Sequence, residues 1–311
     1  MDLSVIVVSW NVRELLAACL SSVYASLDGS GVTFETIVVD NASTDGSAAI
    51  VGERFPQVQL LCNTENRGYA GGSNQGLSLC QGRHVVVLNP DTLVRDNALC
   101  TMLRFMDETP SAGMAGPRLV YGDGQFQHSA FAFPTLAQIF LDFFPLHGRL
   151  LESRLNGRYP RSWYAAGQPF PIGHPLGACM MVRHEALEQV GSMDEAFFMY
   201  CEELDWAMRI HRAGWGVYCV PAAELVHYAG QSTQQVRGDM FVALWRSRFR
   251  FFAKHYDPLF NRVAPWVVRL GLWGEERRAR ARGLPGQELT AQLNMYRQVR
   301  ELSYARAEGR A

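Results

Sequence analysis

Long hydrophobic runs are missing from this sequence. No uncharged apolar stretch approaches the roughly 18 residues that a membrane-crossing helix needs, so no transmembrane segment is expected. The seven cysteines are odd in number, scattered and never spaced C-x-x-C, which argues against a disulfide framework and a zinc ribbon. They read as small core residues of a reducing compartment. Met1 leads through one acidic residue into Leu3–Val8 with no basic leader region or small-residue cleavage site, so no signal peptide is expected. Neither sign of charge dominates: 29 Lys and Arg face 30 Asp and Glu, and the net charge of −1 lacks the basic surplus of a nucleic-acid binder. The cytoplasm is the default location, with no nucleic-acid partner.

What is present is an ordinary globular composition, 48% hydrophobic and 19% charged over 311 residues, with no internal repeat. Leu3–Ser9 is a continuous apolar run, the pattern of a strand buried on both faces of a parallel sheet. Leu15, Leu16, Cys19, Leu20 and Val23 then recur at helical spacing, and Phe34–Val39 is a second strand ending at Asp40. This β-α-β opening predicts an α/β fold, but no G-x-G-x-x-G follows the first strand, which disfavours an NAD site. Cap and turn formers from Asn41 to Ser47 lead into a short helix to about Phe55, and Val58–Leu61 is a third strand.

Val85–Leu88 is the fourth strand, stopped by Asn89, Pro90 and Asp91. Proline removes a ladder donor, and the carboxyl end of a strand in an open α/β sheet borders the ligand crevice. Asp91 therefore either meets a ligand or caps a helix beginning near Arg95 or earlier. Before it, the segment from Asn63 to Gly76 carries four glycines and Arg67 and ends in a helix. Free amides at such a start favour an anion and Arg67 adds a phosphate contact, unless the segment is a flexible turn with a solvated arginine. Met114–Pro117 reads as a short strand and Leu176–Val182 as another, followed by a helix at His184–Val190. Between them, 121–175 is aromatic-rich and aperiodic, expected to be a mobile region on the acceptor side.

Glu202, Glu203 and Asp205 open a helix whose apolar stripe includes Leu204, Ala207, Met208 and Ile210. Acids in a first turn suit the helix dipole, and one of them could equally serve as a general base. They cannot all point one way, so at most two can share a site. Gly216–Val220 is a further strand, and the chain then reaches His227, either a satisfied core residue or a metal ligand.

Four motifs in order carry a resemblance: Ser4–Asn11, Val38–Ser47, Asn66–Asn74 and Phe197–Asp205, joined by Asn89-Pro90-Asp91 and His227. Over residues 3–257 the chain resembles the family 2 inverting glycosyltransferases with the GT-A fold, nearest to the rhamnosyltransferase-like branch that builds bacterial surface polysaccharides. The resemblance implies a mostly parallel sheet flanked by helices. It implies that Ser9, Trp10, Asn11 and Asp40 hold the base and ribose of a nucleotide-sugar, dTDP-rhamnose before UDP- or GDP-sugars. Arg67, Gly68 and Asn74 would border the diphosphate and sugar. Asp91, with Asn89 in support, would stand in the family's Asp-x-Asp, and His227 would be a further ligand of Mg²⁺ or Mn²⁺. Glu203 would be the base that activates the acceptor hydroxyl of a glycan or polyprenol-linked glycan, with Asp205 as runner-up and Glu202 as the remaining candidate. Two departures stand out: Asn89 replaces the first acid of Asp-x-Asp, and a glutamate replaces the aspartate base. They keep open a catalytically silent nucleotide- or glycan-binding partner of a glycan assembly complex. A sugar nucleotidyltransferase is disfavoured, because no glycine-rich loop follows the first strand.

The expected organisation is a catalytic domain over 1–240, with a nucleotide-sugar half (1–120) and an acceptor half (121–240), and a helical extension over 241–311. From Phe241 to Gly283 ten basic residues face three acidic ones and alternate with aromatics. That pattern suits helices packing on the catalytic domain, or peripheral contact with an anionic membrane at the inner face of the cell membrane.

Overall fold

The computed structural model describes residues 1–229 and 237–307. Residues 230–236 and 308–311, the end of the expected extension included, lie outside it. The described chain divides into two units. Among the described residues one comprises Met1–Phe131, Arg161–Phe198 and 202–229, and the other comprises Ala132–Pro160, Met199–Cys201 and 237–307. Helices of the expected extension are thus joined in the second unit by residues from the 121–175 region.

The first unit begins β1 (Leu3–Ser9), α1 (Arg13–Leu27), β2 (Phe34–Asp40), α2 (Ser47–Arg54), β3 (Gln59–Cys62), α3 (Gly68–Leu77) and β4 (His84–Leu88). It continues with β5 (Thr92–Val94), α4 (Ala98–Glu108), β6 (Ala112–Val120), β7 (Phe126–Gln127) and β8 (Ala130–Phe131). In the second unit lie α5 (Leu136–Phe143) and α6 (Gly148–Leu151). The first unit resumes with α7 (Arg161–Ala165), β9 (Phe170–Pro171), β10 (His174–Pro175), β11 (Cys179–Arg183), α8 (His184–Val190), α9 (Glu202–Arg212) and β12 (Gly216–His227). Then come α10 (Arg237–His255), α11 (Pro258–Ala281) and α12 (Gly286–Ala307) of the second unit.

The main sheet runs β3-β2-β1-β4-β11-β6-β12-β5. Strands β3, β2, β1 and β4 are parallel, β11 is antiparallel to both its neighbours, and β12 is parallel to β6. Every residue of β1 and of β4 is buried, as their unbroken apolar runs require of strands covered on both faces. The sheet order reverses between β1 and β4, and the carboxyl ends there form the crevice edge of an open α/β sheet. Leu16, Leu20 and Val23 of α1 and Leu99, Met102 and Met106 of α4 fill the core beneath it.

Three expectations change. Asp91 does not cap a helix: the chain after it is β5, paired antiparallel with β12 so that Thr92 faces His227, and α4 starts only at Ala98. The glycine-rich segment is helix from Gly68 onward, not a loop leading to one. Its glycines at positions 72 and 76 lie against Val8 and Ile6, and an added Cβ would come within 2.7 and 2.4 Å of those side chains, so they set how closely α3 packs on β1. Finally, Gly216–His227 is one strand whose register shifts between Val220 and Glu224, an irregularity that apolar patterning alone does not reveal.

In the second unit, α11 packs on α5 and α12. Gly271 abuts the Phe143 ring, Arg278 donates to the Phe143 carbonyl, and Phe143 stacks on Trp245 of α10.

Candidate active site

Ser9 ends β1 beside Asp40, which ends β2 in register with it. Both are buried, and Ser9 Oγ and Asp40 Oδ1 have no hydrogen-bond partner. The other Asp40 oxygen accepts from the Ser43 amide at 2.9 Å, which fixes the carboxylate. Asn11 holds the turn after β1 at φ +53°, where its amide donates to Ser43 Oγ and its side-chain oxygen accepts from the Thr44 amide. Trp10 is half-buried on that turn.

At the end of β4 the Asn89 amide donates to the Ala178 carbonyl at 2.9 Å and the Asn89 carbonyl accepts from Thr92 Oγ1, so the Asn89–Thr92 turn is held at both ends. Asp91 is 5% exposed and its Oδ1 lacks a hydrogen bond. It stands 3.5 Å from Nε2 of His227, brought there by the β5–β12 pairing. The Nδ1 of His227 lies 3.2 Å from Gln127 Oε1. A cation between Nε2 and the carboxylate would engage both groups. An oxygen and an imidazole donor with an unfilled lone pair suit Mg²⁺ or Mn²⁺. Among the described residues no group of three or more His, Cys, Asp or Glu could hold a metal ion, so protein donors alone would not complete a shell.

Arg67 sits at the start of α3, exposed and without an ion pair among the described residues. Two leading amides of that helix are already used: Gly68 N–H by Asn66 Oδ1 and Tyr69 N–H by the Phe198 carbonyl. Gly68 takes φ +74°, and a Cβ there would lie 2.4 Å from the Phe198 carbonyl oxygen. Gly68→Ala is accordingly expected to destabilise the fold by about 2–4 kcal/mol, read as a lower urea midpoint at unchanged slope. Asn74 is occupied by the chain: its amide donates to the Met193 carbonyl and Glu195, and its oxygen accepts from the Met193 amide.

The α9 acids separate sharply. Asp205 is fully buried and accepts from Arg209 Nε at 2.8 Å, while the same guanidinium donates to the carbonyls of Val190 and Ser192. Asp205→Asn is expected to cost about 3 kcal/mol of stability, by leaving that guanidinium under-neutralised, and to change kcat of the folded enzyme far less than loss of a base would. Glu202 is also buried, with Oε2 lacking a hydrogen bond, and burial first and the neighbouring Glu203 charge second raise its pKa well above the glutamate range. Glu203 is half-buried, its side chain close to Gly177.

Tyr69, given no role by sequence, connects the two groups. Its hydroxyl donates to the Gly177 carbonyl at 2.9 Å, and burial followed by the charges of Glu202, Glu203, Cys179 and Asp91 raises its pKa. The phenol therefore lies within electrostatic reach of both the Asp91 and the Glu202–Glu203 carboxylates. Asn41 was likewise unassigned; its amide donates to the Gly68 carbonyl and its oxygen accepts from Asn63, tying the end of β2 to the start of α3. Gln127 is the third such residue, separated from His227 by 100 positions.

A sequence model of glycosyl transferase family 2 matches residues 4–191, more than half of the chain. The chain belongs to glycosyl transferase family 2. That match takes in Ser9 through Asp91, while Glu202, Glu203 and His227 lie beyond its end. This glycosyltransferase is 28% identical over 249 residues to the N-acetylglucosaminyl-diphospho-decaprenol L-rhamnosyltransferase of Mycobacterium tuberculosis, covering 75% of this chain and 79% of the relative. It is 25% identical over 173 residues to the rhamnosyltransferase WbbL of Escherichia coli, covering 55% and 62%. Its fold is that of GT-A enzymes. The mannosyltransferase of Pyrobaculum calidifontis, solved with GDP-Man and Mn²⁺, superposes with a TM-score of 0.59 at 19% identity, covering 99% of this chain and 87% of that one. S. aureus TarS in complex with UDP gives 0.53 at 15%, covering 99% and 92%. No helix among the described residues is long and apolar enough to cross a membrane.

Proposed function

We propose that this glycosyltransferase moves rhamnose from dTDP-rhamnose to a hydroxyl of a glycan or polyprenol-linked glycan, with inversion, in the synthesis of a bacterial surface polysaccharide. One observation carries the donor site. Three buried polar atoms, Ser9 Oγ, Asp40 Oδ1 and Asp91 Oδ1, lack hydrogen-bond partners and all sit at the carboxyl ends of neighbouring parallel strands or just past them. Other buried atoms of the structure also lack partners, but these three form a row on the crevice edge, where a ligand would satisfy them. The relatives' names favour rhamnose and a diphospho-decaprenol acceptor.

In this reading Ser9, Trp10, Asn11 and Asp40 bind the nucleoside, and Arg67 neutralises the diphosphate. Gly68 and Asn74 place the start of α3 and the 193–195 segment around the donor. Asp91, with Asn89 in support, and His227 would hold Mg²⁺ or Mn²⁺, which when bound would neutralise charge on the departing nucleoside diphosphate. Glu203 accepts the proton of the acceptor hydroxyl as its oxygen bonds to the anomeric carbon and the bond from that carbon to the diphosphate oxygen breaks. Burial and the neighbouring Glu203 charge disfavour ionisation of Glu202, which leaves Glu203 the better placed of the pair to act as base.

The test is incubation with radiolabelled dTDP-rhamnose and N-acetylglucosaminyl-diphospho-polyprenol. Label entering the lipid-extractable fraction with equimolar dTDP release, and a product of opposite anomeric configuration to the donor, is the expected outcome. Nucleotide binding without transfer from dTDP-, UDP- or GDP-sugars would instead identify a silent binding partner.

A further inference from the structure

The 24-residue helix α11 has two unlike sides. Phe260, Ala264, Val268, Gly271 and Leu272 are buried within the second unit. Opposite them, Leu259, Trp266, Leu270 and Trp273 are 69, 65, 53 and 53% exposed. At 100° per residue these four fall within about 60° of arc, a continuous apolar stripe along the helix. An exposed row of this size on a protein of ordinary composition marks a contact surface, since single exposed apolar residues are normal but aligned tryptophans are not.

The charge on that side is of one sign. Arg262, Arg277 and Arg280 are exposed within or beside the stripe, while Arg269 beside it has its Nε and Nη2 buried. Arg269 lies over the Trp266 ring at 4.0 Å and the Tyr304 ring at 4.6 Å, and Arg277 over the Trp273 ring at 4.7 Å. Both acids of the helix are engaged elsewhere, Glu275 with Arg278 and Glu276 with Arg300. Indole rings interleaved with arginines match the boundary between acyl chains and anionic headgroups, where the ring is buried and the guanidinium meets phosphate.

We infer that the Leu259–Arg280 face of α11 binds the surface of an anionic phospholipid bilayer, lying in its plane. A membrane inner leaflet supplies that surface, and each arginine near it strengthens partitioning ~fivefold, roughly the effect of one basic residue at a charged leaflet. The inference does not depend on the donor or acceptor chemistry proposed above.

The test is co-sedimentation of the full-length protein with phosphatidylcholine vesicles, alone or with about a quarter phosphatidylglycerol. Pelleting only with the anionic vesicles, lost progressively as salt is raised, is expected, together with a blue shift of tryptophan emission. Trp266→Ala/Trp273→Ala and Arg262→Glu/Arg277→Glu should each lower the vesicle-bound partition at least ~tenfold. Their thermal unfolding and their affinity for free nucleotide should match the wild type, since these side chains point away from the unit's core. Three results would overturn the inference. One is absence of pelleting; another is equal pelleting with neutral vesicles. The third is a wild-type dimer that the tryptophan variant dissociates without any vesicle binding, which would make the face a contact between two copies.

Discussion

Glu203→Gln should lower kcat for sugar transfer by ~10²–10⁴-fold, the usual contribution of a general base, with nucleotide affinity unchanged. Glu202→Gln should behave oppositely. Burial and the Glu203 charge hold Glu202 protonated, and glutamine mimics that neutral form, so kcat should stay within roughly tenfold of wild type. Stability separates the pair further. Below pH about 4.5, the ordinary glutamate value, folded and unfolded chains both carry the Glu202 proton. Above it the unfolded chain releases that proton and the folded one retains it, so the wild type loses stability as pH rises toward the higher folded value. Glu202→Gln removes this decline, and denaturant midpoints of the two proteins should diverge as pH increases. If Glu202→Gln abolished transfer and Glu203→Gln did not, the base would be reassigned to Glu202.

Asp91→Ala should reduce transfer at least ~10²–10³-fold and remove the metal dependence of nucleotide binding. Its effect on folding should be smaller than that of Asp205→Asn, because Asp91 Oδ1 makes no hydrogen bond and lies 3.5 Å from His227 Nε2, whereas Asp205 is hydrogen-bonded to Arg209. A variant that keeps its melting temperature and loses activity is the signature of a residue held for ligand binding. Asp205→Asn supplies the contrast: it should lose stability and keep most of its turnover per folded molecule. These two aspartates look alike in sequence, and Arg209 four residues after Asp205 is the local signal that one of them is an ion-pair partner.

Much of the donor half was legible because its signals are local. Unbroken apolar runs mark β1, β2 and β4, each stopped by polar residues, and the run ending at Asn89 sends Asp91 to the crevice edge, whereas Ser9 and Asp40 were linked to the donor only through the family resemblance. Features that depend on distant partners were not legible. The pairing of β5 with β12 that brings His227 to Asp91 spans a hundred residues or more, as do the Gln127 contact to His227 and the Asn74 contacts to Met193 and Glu195. The glycines of α3 misled in an instructive way. Glycine weakens isolated helices, yet at positions 72 and 76 tertiary packing on Val8 and Ile6 requires it, and that demand outweighs propensity. Within 121–175 the short elements α5 to β10 lack the length for a readable period, and their aromatic residues pack by contact with one another, as Phe126, Tyr164 and Phe170 do.

The most direct measurement of the donor site is calorimetric titration with dTDP, UDP and GDP, each with and without Mn²⁺ or Mg²⁺, on the wild type and on Asp91→Ala. The expected result is metal-dependent binding of one nucleotide, dTDP for a rhamnosyl donor, that disappears in the variant. Absence of binding for all three nucleotides in every metal condition, or metal-dependent binding that survives Asp91→Ala, would contradict the assignment of this edge of the sheet as the donor site.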